Sequence, residues 1–279
     1  MYRNNSKIDI ALLVFLLIVF VAFSAQAADK VLTMATTTST DDTGLLDELA
    51  PKFTAATGIE LRWTATGTGK ALKLGENCDV DVLLVHAPAA EMTFVEAGFG
   101  VDRKEIMYND FVIIGPPDDP AGIKGKSIKD ALGAIEASKA VFVSRGDNSG
   151  THKKELSLWK AADLPVPEKE SWYVQTGQGM LKTINVAAEK SGYTMTDRGT
   201  YIKYEDSMKG NPPLKIMVEG DKALLNQYSA IAVSPQHCPD VKNDLAEAFI
   251  EWITSADAQK AIGDFKLLGK TLFTPNAAK

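Results

Sequence analysis

Residues 140–152, AVFVSRGDNSGTH, combine an apolar run, a polar loop rich in glycine, and the start of a helical pattern. The apolar run Ala140–Ser144 predicts a buried strand, and the apolar spacing that follows predicts a helix over Thr151–Ala162. The loop Arg145–Gly150 therefore joins a strand to a helix N-terminus. Backbone N–H groups there have no partner within the helix and carry partial positive charge, so this segment is suited to holding an anion.

Two further segments repeat this arrangement of strand, short hydroxyl-rich loop and helix. Thr36–Ser39 follows the predicted strand Val31–Ala35, and Gly67–Gly69 follows the predicted strand Ile59–Thr66. One such loop alone would be interpreted as an ordinary helix cap, because serine and threonine are common cap residues. In an open parallel sheet, however, ligands bind beyond the carboxyl ends of the strands. Three such loops together predict a single anion site.

Arg145 is the charged residue within these loops that points most directly to an anion. Its guanidinium stays protonated and forms paired hydrogen bonds with an oxyanion. The alternative is a salt bridge to Asp147, two positions along the chain. The sequence leaves both interpretations open.

Strands alternate with helices along the rest of the chain. Asp79–His86 is a near-continuous apolar strand, Pro88–Ala97 is typical of a helix, and Asp244–Phe265 has the spacing of one amphipathic helix. This alternation predicts the α/β class with a mostly parallel sheet. The pattern also indicates two lobes, with chain crossings near Asp110–Pro116 and Ser229–Pro235.

The N-terminus has the three parts of a secretory signal peptide. Arg3 and Lys7 precede the apolar run Ile10–Phe23, and residues 25–27, Ala-Gln-Ala, form a small-x-small cleavage site. We therefore predict a signal peptide over residues 1–27, cleavage after Ala27 and release into the periplasm. The alternative, a signal anchor or core helix, is weakened by the shortness of the run. No cysteine stands directly after the run at the cleavage site, so lipid attachment is not predicted.

The composition limits the kinds of partner. The chain has 279 residues, with 30 Lys and Arg against 36 Asp and Glu, which gives a formal net charge of −6. An acidic chain without a basic run is a poor candidate for nucleic-acid binding. An anion would have to be held by a local arrangement of dipoles and one or two cations, since the protein offers no broad positive field.

Cys78 and Cys238 are the two cysteines of the chain. In an oxidising compartment such a pair is interpreted first as a disulfide, but the sequence alone also permits two separate thiols. Neither cysteine stands at a recognisable metal-ligand spacing with the three histidines, so no metal site is predicted.

Enzyme motifs match poorly. Residues 146–150, GDNSG, are not a G-x-S-x-G elbow, and His152 stands only three positions from Ser149. A secreted serine hydrolase that uses Ser149 remains the alternative from another functional class, provided that His86 or His237 converges on it. Gly69-Lys70 is not a P-loop, because Thr64 replaces the required first glycine.

Several motifs resemble those of the tungstate-binding proteins of bacterial ABC importers. They are ATTTST at 35–40, ALKLGEN at 71–77, VHAP at 85–88, YNDFV at 108–112, SRGDNSGTH at 144–152, TDRGTY at 196–201 and VEGD at 218–221. The resemblance implies a two-lobed periplasmic binding protein of type II. Each lobe would have a mixed, mostly parallel sheet flanked by helices, and two crossover strands would form the hinge.

The resemblance also gives expected boundaries, partners and ligand. Lobe 1 would comprise residues 28–112 and 230–279, and lobe 2 residues 113–229. The protein would be a monomer without a cofactor or catalytic activity, and it would deliver tungstate to a membrane permease with a cytoplasmic ATPase. Molybdate or phosphate specificity is the alternative within binding proteins.

The same resemblance implies a set of ligand-binding residues from both lobes. They are Thr37, Thr38, Ser39 and Thr68 from the first lobe, and Arg145, Ser149, Gly150 and Thr151 from the second. His86 stands where related phosphate-binding proteins place an aspartate that accepts the proton of hydrogen phosphate. Tungstate and molybdate carry no proton at neutral pH, so a histidine that donates would suit them. The alternative is that His86 is an interior side chain at the end of a strand.

Overall fold

The computed structural model describes residues 30–277. The predicted signal peptide and its cleavage site, within residues 1–28, lie outside the described residues. Among the described residues, no helix combines the length and the apolar character that a membrane span requires.

The described strands and helices alternate over most of the chain. The strands are β1 Val31–Thr37, β2 Glu60–Thr66, β3 Val82–Val85, β4 Gly100–Gly115, β5 Phe142–Ser144, β6 Tyr173–Gln175, β7 Thr194–Asp197, β8 Lys215–Val218, β9 Leu225–Val233, β10 Lys266–Leu267, β11 Lys270–Thr271 and β12 Thr274–Pro275. The α-helices are α1 Thr38–Asp41, α2 Leu45–Thr57, α3 Thr68–Glu76, α4 Pro88–Glu96, α5 Ile128–Ser138, α6 Gly150–Ala161, α7 Met180–Glu189, α8 Arg198–Ser207, α9 Asn243–Ile253 and α10 Ala256–Asp264.

The sheet is mixed, and its parallel part is small. Strand β1 pairs in parallel with β2 and β3, and β5 pairs in parallel with β6. Strand β9 returns antiparallel between β3 and β4, and β4 pairs antiparallel with β7, β8 and β12. The mixed α/β architecture is confirmed. The predicted balance is wrong: antiparallel pairings outnumber parallel ones, because the crossover strands run back through the sheets they connect.

Strand β4 passes from one hydrophobic core to another. Its first part, to Met107, packs in a core with Leu32, Phe53 and Phe249, and its last part, from Phe111, packs in a core with Trp159. The chain thus builds two lobes around separate cores, as the α/β alternation indicates. The lobe boundaries at 112/113 and 229/230 remain a prediction, although the change of core near 107–111 lies close to the first of them.

The C-terminal helical segment differs from the prediction. Instead of one amphipathic helix over Asp244–Phe265, the chain forms α9 and α10, and α9 ends at Ile253. The Ser255 side chain accepts a hydrogen bond from the Ala258 amide and caps α10. A serine cap stabilises a new helix start, which apolar periodicity alone does not reveal.

Cys78 and Cys238 form a disulfide in the structure. Cys78 precedes β3 and Cys238 follows β9, and these two strands are antiparallel. Both cysteines therefore lie at the edge of the sheet where β3 begins. Beside the bridge, His237 Nε2 lies 2.8 Å from the Glu76 carbonyl oxygen. Of the two alternatives that the sequence left open, the structure adopts the bridged one.

We expect the double substitution Cys78→Ala/Cys238→Ala to lower the free energy of unfolding by about 2–4 kcal/mol, because the bridge restricts the unfolded chain over a separation of 160 residues. Urea denaturation followed by tryptophan fluorescence measures the change. A reducing agent should lower the stability of the natural protein similarly and leave the double variant unaffected. Equal unfolding midpoints for the oxidised natural protein and the variant would contradict this expectation.

Candidate anion-binding site

The carboxyl ends of three neighbouring parallel strands form the first half of the site. Thr37 ends β1, Thr66 ends β2, and His86 follows β3. Helix α3 begins at Thr68 directly after β2, with Gly67 at its N-cap. Because the N–H groups of the first helical turn have no partner within the helix, this edge of the sheet presents donors together with hydroxyl groups.

The second half of the site comes from the loop between β5 and α6. Gly146 adopts a left-handed conformation with φ of 58°, which turns the chain after Arg145. The Ser149 side chain caps α6 by accepting a hydrogen bond from the His152 amide. The helix therefore starts at Gly150, with the amides of its first turn directed away from the helix interior.

The two halves face each other across a cavity of about 410 Å³. Every residue that the sequence predicted for the site lines this cavity: Thr37, Thr38, Ser39, Thr68, His86, Arg145, Ser149, Gly150 and Thr151. The structure thus brings together segments that are more than a hundred residues apart in the chain. Their role in holding a ligand stays a prediction.

Gly150 allows the two lobes to approach closely. A Cβ atom at this position would lie 3.2 Å from Thr68 Oγ1 and 3.4 Å from His86 Cε1, both in the first lobe. A side chain there would press on both neighbours. The absence of a side chain therefore lets the start of α6 come close to the donors of the opposite lobe.

Arg145 both forms the local ion pair and lines the cavity. Its Nη2 lies 2.5 Å from Asp147 Oδ2, and Asp147 Oδ1 accepts a hydrogen bond from the Ser149 amide at 3.1 Å. Burial alone would raise the pKa of Asp147, but the hydrogen bonds from Ser149 and the charge of Arg145 lower it. Asp147 is therefore ionised at neutral pH and offsets the charge of Arg145.

Two buried polar atoms at the cavity have no hydrogen-bond partner in the structure, Thr68 Oγ1 and Arg145 Nε. A buried donor without a partner is uncommon, because its desolvation is not compensated. Both atoms belong to residues that line the same cavity. A hydrogen-bond acceptor placed there would satisfy them.

His86 is buried between the cavity and the crossover strand β9. Its Nδ1 lies 2.9 Å from Asn226 Oδ1, and its Nε2 lies 3.1 Å from Thr37 Oγ1 and 3.2 Å from Ser39 Oγ. Burial lowers the pKa of His86, although the hydrogen bond with Asn226 opposes that effect. At neutral pH the ring is therefore uncharged.

This arrangement changes the expected role of His86. With Asn226 Oδ1 accepting from Nδ1, the neutral ring has its lone pair on Nε2, so Nε2 accepts a hydrogen bond where a donor was expected. The side chain of His86 is buried, as the interpretation of an interior residue predicted. It also lines the cavity, as the family resemblance implied.

The buried carboxylate of Glu155 stabilises the strand end from which the Arg145–Gly150 loop departs. It accepts hydrogen bonds from Ser144 Oγ at 2.6 Å, from Tyr173 OH at 2.5 Å and from Trp159 Nε1 at 3.3 Å. Burial raises the pKa of Glu155 to about 6, although these hydrogen bonds oppose that effect. Ser144 is the residue before Arg145, so this buried network fixes the end of β5 from which the loop departs.

The geometry does not assemble a hydrolase. Within residues 30–277, no histidine ring nitrogen is hydrogen-bonded to Ser149 Oγ. The His152 ring accepts a hydrogen bond from the Asn148 amide at 3.0 Å instead. In the same range, the one group of His, Cys, Asp and Glu side chains with metal-ligand spacing is Cys78, His237 and Cys238. The disulfide engages both of its sulfur atoms.

Sequence reasoning missed three residues that shape the site. Lys70 lines the cavity, and Asp147, considered only as a partner of Arg145, lines it as well. Lys70 follows the Gly67–Gly69 loop and could have been included on that signal. Asn226, on a strand 140 positions further along the chain, orients His86. Local sequence patterns do not predict a contact between residues so far apart.

The chain is similar to several known proteins. A family model described as a PBP superfamily domain matches residues 24–257. The tungstate-binding protein TupA of Campylobacter jejuni is 54% identical over 239 residues, which cover 86% of this chain and 88% of that protein.

Two solved structures are also similar. The tungstate-binding protein TupA from Desulfovibrio alaskensis G20 is 75% identical with a TM-score of 0.84, and the match covers 89% of this chain and 99% of that one. A structure described as the tungstate ABC transporter from Geobacter sulfurreducens is 48% identical with a TM-score of 0.75, and the match covers 85% and 100% of the respective chains.

The raised pKa of Glu155 predicts a pH-dependent stability. Between pH 4.5 and about 6 the folded protein holds a proton that the unfolded chain has released, so this group makes the protein less stable as pH rises through that window. Glu155→Gln removes the effect. The free energy of unfolding of this variant, relative to that of the natural protein, should be about 2 kcal/mol higher at pH 7.5 than at pH 4.5, so the variant is relatively more stable at the higher pH.

Urea denaturation of both proteins at the two pH values measures this difference. Glu189→Gln, on the exposed end of α7, is the matched control and should show no such change. A Glu155→Gln difference that is the same at both pH values would show that the carboxyl does not titrate in this window.

Proposed function

Because this chain belongs to the PBP superfamily, and within it to the family of the tungstate-binding protein TupA, we propose that it captures tungstate for an ABC importer. The observation that carries the proposal is the cavity between the lobes, which hydroxyls, helix N-termini and Arg145 surround. The relatives support tungstate as the ligand, and the geometry supports a dehydrated oxyanion in general.

The charge balance of the cavity favours a small dianion held mainly by dipoles. The charged side chains that line it are Arg145, Lys70 and Asp147, and Asp147 is paired with Arg145. This leaves a modest positive charge, supplemented by the N-terminal ends of α3 and α6. A cavity of this kind binds through many directed donors, so it recognises the tetrahedral arrangement of oxygens more than the charge alone.

We propose two groups of donors on the ligand, one from each lobe. Their hydroxyls, amides and guanidinium would face the four oxygens of tungstate from opposite sides. They are Thr37, Thr38, Ser39 and Thr68 from the first lobe and Arg145, Ser149, Gly150 and Thr151 from the second. Thr68 Oγ1 and Arg145 Nε, which have no partner in the structure, gain an acceptor in this arrangement.

The carboxylate in the cavity bears on the choice among oxyanions. Asp147 already accepts from Arg145 and from the Ser149 amide and is held ionised, so it is poorly placed to accept a proton from hydrogen phosphate. Tungstate and molybdate have no proton to donate. The proposal therefore ranks these two dianions above phosphate, with tungstate first on the strength of the relatives.

We further propose that the protein acts in the periplasm as a monomer. The signal-peptide pattern over residues 1–27, with cleavage after Ala27, supports export. The description of a similar structure as a tungstate ABC transporter supports delivery to a membrane permease with a cytoplasmic ATPase. The two-lobed fold supports capture by closure of the lobes.

Calorimetric titration with tungstate, molybdate, sulfate and phosphate tests the proposal. We expect tight binding of tungstate, and we expect Arg145→Ala to weaken it by about thirtyfold or more, because the loss of a desolvated charge partner costs about 2–5 kcal/mol. Lys129→Ala, an exposed change in the second lobe away from the cavity, should bind like the natural protein. Tight binding of sulfate or phosphate together with failure to bind tungstate and molybdate would refute the proposal.

Thr68→Val separates a binding role from a structural one. Since Thr68 Oγ1 has no partner in the structure, its replacement by a methyl group should leave the unfolding free energy unchanged or slightly higher. Tungstate affinity should fall about tenfold, the effect of about one lost hydrogen bond. Thr64→Val, at an exposed position of β2, the strand that precedes α3, is the control. Unaltered affinity in Thr68→Val would remove this hydroxyl from the binding site.

A further inference from the structure

His86 connects the floor of the cavity to the crossover strand β9. Its ring stacks on Tyr228 with centroids 4.7 Å apart, and its two nitrogens face opposite surroundings. Nδ1 faces Asn226 of β9, whereas Nε2 faces the hydroxyls of Thr37 and Ser39 at the cavity. A proton gained or lost by the ring would therefore act on two proposed ligand donors at once.

The hydrogen positions around Nδ1 follow from the amide of Asn226. Its Nδ2 donates to Asn109 Oδ1 at 2.7 Å and lies 3.2 Å from the Tyr228 hydroxyl, so its Oδ1 faces His86. Nδ1 then carries a hydrogen and donates it to Asn226 Oδ1. This hydrogen bond exists in both the neutral and the protonated ring, so titration takes place at Nε2.

In the neutral ring, Nε2 must receive a hydrogen from a hydroxyl. Thr37 and Ser39 are the groups within reach, and each has a single hydroxyl hydrogen. The hydroxyl that donates to Nε2 cannot donate to an oxyanion in the cavity. A neutral His86 thus withholds one donor from the ligand, and it leaves an oxygen lone pair directed at a negative charge.

The charges around the ring determine when it is protonated. Burial lowers the pKa of His86. The nearby charge of Asp197 opposes this effect, but the pKa remains below its ordinary value. Arg145 and Asp147 line the same cavity as a pair, and Lys70 lies at its exposed side.

The adjoining cavity, on the other side of His86, is lined by Lys153 and Lys154. The positive charges of both lysines disfavour protonation of the ring. A dianion in the cavity would be the strongest nearby charge and would favour the protonated ring.

We infer that His86 takes up a proton from solvent at Nε2 when the cavity binds its dianion, and that this proton frees the hydroxyl, of Thr37 or Ser39, that had donated to Nε2 to donate to the ligand instead. The Nδ1 hydrogen stays on Asn226, and no bond in the oxyanion changes. The inference rests on the proposed function and specifies the protonation state of that site. With Nε2 protonated, His86 offers no acceptor for hydrogen phosphate, so the same proton favours ligands that carry none.

Calorimetry with tungstate in buffers that differ in ionisation enthalpy measures the proton directly. At pH 7.5 the observed enthalpy should vary with the buffer's ionisation enthalpy with a slope that corresponds to uptake of about one proton per tungstate bound. Affinity should increase about tenfold for each pH unit by which the solution is acidified between pH 8.5 and 7.5, as linkage requires for one proton.

His86→Gln provides the decisive variant. Its amide can donate to Thr37 and Ser39 without titrating, so tungstate should still bind, whereas proton uptake should fall to near zero and the affinity should lose its pH dependence. His237→Gln is the matched control, because His237 lies beside the disulfide and outside the cavity, and it should take up a proton like the natural protein.

The possible outcomes separate the two proposals. Tungstate binding without proton uptake would overturn the inference and leave the proposed function intact, because the ring would then have the same protonation state before and after binding. Loss of uptake in His152→Gln but not in His86→Gln would also overturn it, since the proton would then go to the second lobe. Failure of tungstate to bind in any buffer would refute the proposed function itself.

Discussion

The backbone pairing between β4 and β9 determines how the two halves of this molecule meet. Strand β4 is paired with β9 as far as Asp110 and continues without interruption into its pairing with β7 from Phe111 onward. A hydrogen-bonded strand that belongs to two sheets restricts their relative motion. The carboxyl ends of β1, β2 and β3 therefore face the start of α6 across a narrow gap, and every feature of the cavity depends on that alignment.

Within the gap, directed dipoles outweigh net charge. The Arg145–Asp147 pair keeps a guanidinium in a fixed position while it offsets the charge, so the cavity does not become a general cation patch. An acidic protein with a formal net charge of −6 can hold an anion only through such local order. The buried carboxyl of Glu155 contributes to the same order, because it holds Ser144, the residue before Arg145, through a short hydrogen bond. The position of the Arg145 loop is thus set by contacts within the protein.

The sequence predicted those parts of the site that local chemistry encodes. Strand ends followed by Thr37 or by Ser149-Gly150 carry their own signals, since hydroxyl caps and glycines have a defined use at helix starts. Contacts between distant segments carry no such signal. Asn226 faces His86 from 140 positions away, and its effect on the ring reversed the expected direction of a hydrogen bond. The antiparallel return of β9 was missed for the same reason, because strand direction depends on topology, which periodicity does not report.

The disulfide has a consequence for the chain as a whole. The first lobe is built from two stretches, one before and one after the second lobe, and Cys78 and Cys238 link them at the edge of the sheet where β3 begins. The site lies at the opposite edge, at the carboxyl ends of the parallel strands. The chain from Cys78 to Cys238, which includes the second lobe, is therefore closed into a covalent ring. A protease that nicked the second lobe would open this ring without releasing either stretch of the first lobe, so the protein would tolerate such damage as one covalent molecule.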